Sequence, residues 1–377
     1  SLPATSMMLS HKTIALGDDY TSLDPRSAGR ETGLELHRQM LRLRRMEEAL
    51  LAEYHPADEM RCPIHFCIGQ ESVPAALSLL LGKDDFLFSH HRSHGYFFAK
   101  GAPLRELFAE IYGRESGASG GMAGSQDISH PASNFFSGAI LSGAVSIAVG
   151  AAMGFQLQKS GRISVAGFGE GATDEGAFWE AVNHAGNKKL PVLFVVENNR
   201  YATFSDQLKR QERDNICERV RPFGVRATQI FGNDPVLAWQ TLAGEIERVR
   251  NGGGAALVEA YTYRWNSHVG PEDDGFNHYR SAEEIAFWKR NCPIRLLQEK
   301  LLDLGWISPE EIAAIEGEIA SEIAGCFEFA KASKFPEVAD WTRLNFSSSS
   351  PLADRLLADG ESRDFNPAQS EAKLAPY

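Results

Sequence analysis

The chain has 377 residues, 43% of them hydrophobic and 23% charged, enough for one large domain or two ordinary ones with a sizeable core. A formal net charge of −12 excludes the basic surface that nucleic-acid-binding proteins use, so no nucleic-acid partner is expected. Five scattered cysteines without a CxxC pair argue against a disulfide scaffold and for a reducing compartment. No apolar run reaches the length of a membrane span and no signal peptide is predicted, so we expect a cytoplasmic protein without membrane contact.

The first half of the chain mixes irregular and helical patterns. Residues 1–30 are polar and are predicted to form an irregular arm. From Glu31 to Glu53, apolar residues recur at helical spacing on a charged background, which predicts a helix. Residues 113–124 are glycine-rich and indicate a loop, whereas the small and apolar residues of 137–160 indicate a closely packed, buried helix.

Strands and helices then alternate along the chain. Short β-branched and apolar runs predict three buried strands, and helical spacing between and around them predicts two helices; the strands are 163–168, 191–196 and 255–263, and the helices are 175–188 and 236–250. This rhythm indicates parallel βαβ units. The predicted fold class is therefore α/β, with a doubly wound parallel sheet flanked by helices.

The late part of the chain adds helices and a polar tail. Residues 281–304 and 309–333 show helical spacing and are predicted to form an annex to the sheet. A serine run opens a charged, proline-containing segment that continues to the end. The predicted organisation is an arm at 1–30, one α/β domain with its helical annex at 31–346, and a C-terminal tail at 347–377.

Polar groups follow two neighbouring predicted strands. Gly169-Glu170-Gly171 comes after the first strand, and Asn198-Asn199 comes after the second. Ligands of open α/β sheets bind at this carboxyl edge, where glycines let the backbone approach a phosphate. Carboxylate and amide oxygens suit Mg²⁺ or Ca²⁺ better than zinc. Each segment alone is an ordinary turn, but together, with one βα unit between them, they form a more specific pattern.

This pair resembles the thiamine-diphosphate signature that opens with Gly-Asp-Gly and closes with Asn-Asn, with Glu170 in place of the aspartate. Further segments resemble, in order, other motifs of one family: Ile64–Glu71, Ser89–Gly95, Lys189–Asn199, Ala255–Arg264 with His268, and His278–Arg280. Over most of residues 31–335 the chain resembles the alpha subunit of the E1 component of 2-oxo acid dehydrogenases, which act on pyruvate, branched-chain 2-oxo acids or acetoin.

The resemblance implies thiamine diphosphate and Mg²⁺ as cofactors and assigns roles to residues at the matching positions. The metal ligands would be the side chains of Glu170 and Asn199 and the backbone carbonyl of Tyr201. The cofactor-binding residues would be His91, Arg92, Ile140, Ser142, Gly169, Gly171, Ala172 and Arg264. The catalytic residues would be His268, His94 and Asp127. A histidine suits proton transfer because its ordinary pKa lies near neutrality.

Besides Glu170, three further positions depart from the family pattern. Asp127 stands where the family has a histidine, and His91 where it usually has a tyrosine. Either the alignment through this loop is shifted, or Asp127 hydrogen-bonds to a substrate such as a polyol or amino sugar; a carboxylate would repel an anionic 2-oxo acid. Val269 follows His268 where mitochondrial relatives carry a phosphorylated serine, which favours a bacterial branch.

The resemblance also implies a partner, because this chain has one α/β domain and the complete site needs two. A beta subunit would supply the missing half in an α2β2 heterotetramer, and a lipoyl acyltransferase would accept the acyl group. One alternative is a non-oxidative acyl or ketol transferase in a specialised biosynthetic pathway, acting on a 2-oxo acid or a ketose through the same half-site. A second is a non-catalytic paralogue that has lost metal binding through Glu170.

Overall fold

A computed structural model describes residues 20–57, 59–273 and 279–337. The α-helices are α1 Arg30–Ala57, α2 Ser72–Leu80, α3 His94–Ala99, α4 Leu104–Ile111, α5 Gly143–Gln158, α6 Gly176–Lys188, α7 Gln207–Arg210, α8 Ile216–Val220, α9 Pro235–Arg250, α10 Ala282–Arg290, α11 Pro293–Asp303 and α12 Pro309–Ala332. The strands are β1 Phe86–Ser89, β2 Ser129–His130, β3 Phe135–Ser137, β4 Ser164–Gly169, β5 Val192–Asn198, β6 Tyr201–Ala202, β7 Ser205–Asp206, β8 Arg226–Phe231 and β9 Ala256–Tyr261.

Seven of the strands form one sheet in the order β2-β3-β1-β4-β5-β9-β8. Within the described residues, β2 is the antiparallel member, and every other neighbouring pair in this sheet is parallel. Strands β6 and β7 form a small separate hairpin after β5. The α/β fold with a mostly parallel, doubly wound sheet that the sequence predicts is confirmed.

Helices cover both faces of the sheet. Successive side chains of a strand point to opposite sides, so each strand contributes to a core on either face. Along β5, Leu193 and Val195 join one apolar core with α2 and α9, and Phe194 and Val196 join a second core with α5 and α6. The strand is buried at every position, which explains why it reads in the sequence as a continuous apolar run rather than an alternating one.

The late helices pack against α1 and the end of the sheet. Trp288 of α10 is fully buried and stacks on Phe231 and Tyr263, with ring centroids 5.6 Å away in both cases. The predicted helix at 281–304 is two helices, α10 and α11, because Pro293 cannot continue α10 but is suited to the first turn of α11.

Two other predictions differ from the structure. The segment 137–160 becomes helical only at Gly143, and the outer face of α5 is exposed rather than buried: Ile147 is 61% and Leu157 74% exposed. The strands β1, β2, β3, β6, β7 and β8 were not predicted, because all of them but β8 span only two to four residues and carry little periodicity.

The predicted domain boundaries stay predictions. The structure divides into a unit that ends at Lys334 and one that begins at Phe335. Residues 1–19 of the predicted arm and the whole predicted tail, 347–377, lie outside the described residues. Among the residues that are described, no helix combines the length and apolar character needed to cross a bilayer.

Candidate active site

A cavity of about 290 Å³ opens at the carboxyl ends of β4 and β5. Nine of the fourteen residues predicted from the sequence line it: Gly169, Glu170, Gly171, Ala172, Asn199, Tyr201, His91, Arg92 and His268. The other lining residues, which the sequence did not single out, are His65, His90, Gln126, Ala139, Leu141, Ala202 and Thr203. The cavity lies where ligands bind in open α/β sheets.

The first wall comes from the segment that follows β4. The strand ends at Gly169 and passes directly into a 3-10 turn, Glu170–Asp174, before α6 begins. The Thr173 hydroxyl donates to the Glu170 carbonyl at 2.7 Å and closes this turn. A Cβ on Gly171 would lie 3.0 Å from Cβ of Ala202, which is tighter than ordinary van der Waals contact, so glycine lets the turn approach the β6–β7 hairpin closely.

The second wall comes from the turn after β5. Arg200 has a positive φ of 74°, and its N–H donates to Oδ1 of Asn198 at 3.0 Å, while the N–H of Tyr201 donates to Oδ1 of Asn199 at 3.2 Å. Asn198 in turn donates to Oε1 of Glu259 on β9 at 2.8 Å. These bonds hold the turn and bring Asn199 and Tyr201 to the cavity opposite the Glu170 turn.

The predicted metal ligands share this cavity and offer oxygen atoms. Glu170 is 1% exposed, and burial raises the pKa of its carboxyl to about 7 even though Arg210 favours the ionised form. Nη2 of Arg210 lies 2.5 Å from Oε1 of Glu170. A buried carboxylate, an amide and a backbone carbonyl suit a hard divalent cation in their chemistry, so the residues fit Mg²⁺, with Arg210 as a competing partner for one oxygen.

The cationic residues predicted for the diphosphate are differently placed. Arg92 lines the cavity and donates to the carbonyls of Phe66 at 2.6 Å and His268 at 3.1 Å. Burial lowers the pKa of Arg92 to about 10, so it stays charged at neutral pH. Arg264 lies behind the lining and donates to the carbonyl of Thr203 at 2.8 Å. It therefore supports the cavity wall through the backbone of Thr203.

Four histidines crowd the same end of the cavity. The rings of His65 and His91 have centroids 4.6 Å apart, and His268 lies 5.0 Å from the first and 5.2 Å from the second. Burial, together with the charge of Arg92, lowers the pKa of His65 to about 2 and of His90 to about 3, and burial also holds the pKa of His91 far below its ordinary value. His65, His90 and His91 are therefore neutral imidazoles at physiological pH.

Five predicted residues lie outside the cavity lining in the described structure: His94, Asp127, Ile140, Ser142 and Arg264. Both nitrogens of the fully buried His94 ring are hydrogen-bonded, Nδ1 to Glu47 at 2.6 Å and Nε2 to Ser125 at 2.8 Å. Asp127 is exposed and accepts from the N–H of Ala139 at 2.8 Å.

The remaining two belong to the same cavity rim. Ile140 is 72% exposed, and the hydroxyl of the buried Ser142 bonds to the carboxylate of Glu175. Both flank the lining residue Leu141 at the start of α5. The catalytic and cofactor roles predicted for these five residues stay predictions, as do the roles of the nine that line the cavity.

The chain was also compared with known proteins. The model of the family described as "Dehydrogenase E1 component" matches residues 38–339. The chain is 31% identical to the pyruvate dehydrogenase E1 component subunit alpha of Porphyra purpurea, over 84% of this chain and 93% of that protein. It is 32% identical to the corresponding subunit of Rhizobium meliloti (strain 1021), over 82% of this chain and 89% of that protein.

The chain belongs to the alpha subunits of the 2-oxo acid dehydrogenase E1 family. A human somatic mitochondrial form of the pyruvate dehydrogenase E1 alpha subunit is 30% identical over 86% of this chain and 82% of its own length. The resemblance stated from the sequence motifs is confirmed.

In this E1 alpha chain, the sequence motifs did not reveal how the glycine-rich loop is held. The buried carboxylate of Glu110 accepts from four backbone N–H groups of the loop, at distances of 2.7 to 3.1 Å: those of Ser119, Gly121, Ala123 and Gly124. Gly117 packs so closely on Glu110 that a Cβ there would lie 2.4 Å from its carboxylate oxygen. Glu110 itself carries no local sequence signal, since it lies in the ordinary helical pattern of α4.

His65 and Glu197 were also missed, although both lie inside segments that resemble family motifs. His65 comes two residues before Cys67 in the segment 64–71, and Glu197 directly precedes the tandem asparagines. Glu197 is buried at the end of β5, and burial raises the pKa of its carboxyl to about 7. Because the apolar run 191–196 predicts a buried strand, the sequence could have indicated that Glu197, which follows it directly, is buried as well.

Proposed function

We propose that this E1 alpha chain carries the metal and diphosphate half of a thiamine-diphosphate- and Mg²⁺-dependent site that decarboxylates a 2-oxo acid. The observation that carries the proposal is that one cavity is lined by these residues together: Glu170, Asn199, Tyr201, Gly171 and Arg92. An oxygen donor set, a glycine turn at a strand end and a buried arginine together suit a magnesium diphosphate.

The residues have distinct tasks in this proposal. Glu170, Asn199 and the Tyr201 carbonyl would hold Mg²⁺, while the backbone of Gly171 and Ala172 and the guanidinium of Arg92 would bind the diphosphate oxygens. When bound, thiamine diphosphate supplies the nucleophilic carbon and the electron sink for decarboxylation. The imidazole of His268 would hold or accept a proton beside the reacting carbon, which suits a histidine.

A partner chain is supported by the outer face of α5. Ile147, Met153 and Leu157 on this helix are 61%, 40% and 74% exposed, and Ile140 next to the cavity is 72% exposed. Gly150 and Gly154 have open space where a Cβ would stand, so a second backbone can approach closely. An apolar patch of this kind beside an open cavity is typical of a protein interface. We propose that a beta subunit covers it and completes the site in an α2β2 assembly.

The acceptor is expected from the family resemblance, and the location from the five scattered cysteines, which indicate a reducing compartment. A lipoyl acyltransferase as acyl acceptor and a cytoplasmic location remain our predictions, and the curated relatives include chloroplastic and mitochondrial forms.

The proposal is tested by native mass spectrometry of the protein isolated from its own host lysate, with Mg²⁺ and thiamine diphosphate present. We expect a heterotetramer with a second chain of similar size and two bound cofactors, which decarboxylates at least one 2-oxo acid. Glu170→Gln should lose the cofactor, while Glu180→Gln on the exposed face of α6 should retain it. A homo-oligomer that binds no cofactor contradicts the proposal.

A further inference from the structure

Three imidazoles converge at one end of the cavity from distant parts of the chain. His65 lies between α1 and α2, His91 follows β1, and His268 follows β9. One ring nitrogen of each histidine lies within 4.8 Å of those of the other two, and all three residues line the cavity. His65 is buried and the other two are partly exposed, so the cluster is held by the protein but open to solutes.

This arrangement has the composition of a metal centre of a different kind from the oxygen set at Glu170. Three histidine nitrogens with an open fourth position form the ligand set of catalytic zinc sites, and nitrogen-only ligands favour Zn²⁺ over Mg²⁺. Zn–N bonds of about 2.1 Å place tetrahedral ligand atoms about 3.4 Å apart. Nitrogens within 4.8 Å of one another reach this spacing by side-chain shifts of about 1 Å.

The main opposing feature is the positive charge of Arg92. Its guanidinium also lines the cavity, where it donates to the backbone carbonyls of Phe66 and His268. The carboxylates of Glu197 and Glu47 interact with Arg92 and offset part of its charge. The neutral imidazoles of His65 and His91 add no positive charge of their own, and neutral imidazole is the form that ligates a metal.

We propose that His65, His91 and His268 bind one Zn²⁺ ion when the cavity holds no cofactor, with the fourth coordination position directed into the cavity. This goes beyond the proposed function, which uses Mg²⁺ on oxygen ligands. The site is a tris-imidazole centre assembled from three segments that are joined only by the fold, and its occupancy depends on all three rings.

The test is isothermal titration calorimetry of the metal-free, cofactor-free, full-length chain with zinc chloride. We expect one equivalent to bind, and His65→Asn, His91→Asn and His268→Asn each to weaken binding by about 100-fold or more, since loss of a ligand exceeds the effect of losing a residue that supports one. The control is His184→Asn on α6, a histidine outside the cavity lining, which should bind zinc like the unchanged chain.

The folding of each variant is checked by circular dichroism. His91→Tyr, which keeps a large ring, provides a second variant at position 91. Cobalt(II) binding gives a further readout: a tetrahedral site shows intense visible absorption, which His91→Tyr should abolish. No saturable single site in the unchanged chain, or equal affinity in the ligand variants and in His184→Asn, overturns the proposal.

A last variant separates this inference from the proposed function. Glu170→Gln removes an oxygen ligand but no histidine, so zinc affinity should be unchanged while the affinity for Mg²⁺ and thiamine diphosphate falls. If Glu170→Gln abolishes zinc binding, the ion binds at the oxygen ligands and the histidine site is wrong. If zinc binds as expected but the assembled enzyme binds no cofactor, the proposed function fails and this inference stands.

Discussion

Nη2 of Arg210 lies 2.5 Å from Oε1 of Glu170, and the other terminal nitrogen of the same guanidinium bonds to Asp174. The Glu170 side chain is 1% exposed and the Arg210 side chain 16%. The carboxylate predicted as a metal ligand therefore already has a counter-charge supplied by the chain, which ties the turn after β4 to helix α7.

Removing this counter-charge should destabilise the chain and make it depend on divalent cations. We expect Arg210→Gln to lower the free energy of unfolding by about 2 kcal/mol, less than for a fully buried pair because Arg210 is partly exposed. Mg²⁺ should restore more stability to this variant than to the unchanged chain, as measured by urea unfolding with and without the ion. Arg248→Gln, which breaks a comparable pair with Glu245, should show no such gain. Equal gains in all three proteins contradict the prediction.

Asp127 offers a test of substrate charge in the assembled enzyme. Its carboxylate accepts from the N–H of Ala139, a cavity-lining residue, and Asp127→Asn keeps an acceptor there without the charge. We expect this variant to lower KM for an anionic 2-oxo acid about threefold, the effect of a partly screened charge. Asp127→His should shift the ratio of kcat/KM further from a ketose toward the oxo acid. An unchanged ratio removes the case for a neutral, hydroxyl-rich substrate.

The four backbone bonds to Glu110 predict a loop that depends on one carboxylate. Glu110→Gln places an NH₂ group against backbone donors and should cost about 2 kcal/mol of stability. Amide hydrogen exchange over residues 117–124 should accelerate in the same variant. Glu115→Gln, at an exposed position close by, serves as the control and should leave both measurements unchanged. Unaltered exchange in Glu110→Gln would falsify the assignment.

The buried carboxyl of Glu197 makes stability depend on pH. Burial raises its pKa from 4.5 to about 7, so the folded chain binds this proton more tightly than the unfolded chain. The resulting stabilisation, about 3 kcal/mol, is present below pH 4.5 and is lost as pH rises through about 7. We expect Glu197→Gln to flatten the fall in urea midpoint between about pH 5 and about pH 8.

The matched control for that titration is Glu180→Gln, which changes an exposed carboxylate on α6. Its pH profile should follow that of the unchanged chain. A profile of Glu197→Gln as steep as the control would assign the pH dependence to other groups.

The apolar face of α5 predicts where the partner chain binds. Ile147→Asp and Leu157→Asp place charges on side chains that are exposed in this chain, so the fold should be retained while the assembly dissociates. Native mass spectrometry should show the heterotetramer replaced by separate chains. Leu208→Asp on α7, at a 49% exposed position away from that face, should assemble normally. Intact heterotetramers in the α5 variants would place the interface elsewhere.

The sequence by itself determined the fold class and predicted where the candidate site lies. Buried strands such as 163–168 and 191–196 read as apolar runs, and the polar residues that follow them must meet at one edge of a parallel sheet. Glu170 and Asn199 therefore come together for a reason that is local in the sequence, because each directly follows a strand. Helices α6 and α9 were also predicted from the sequence, since their helical periods span several turns.

Only the tertiary structure decided which side chains meet across the cavity. Arg210 reaches Glu170 from 40 positions away, and His65 meets His268 although the two residues are distant in the sequence. The exposed face of α5 could not be predicted either, because glycine and apolar residues give the same sequence pattern whether they face the sheet or a partner chain. Contacts between distant segments are set by how helices and loops pack on the sheet, and the local periodicity of a single sequence carries no record of that packing.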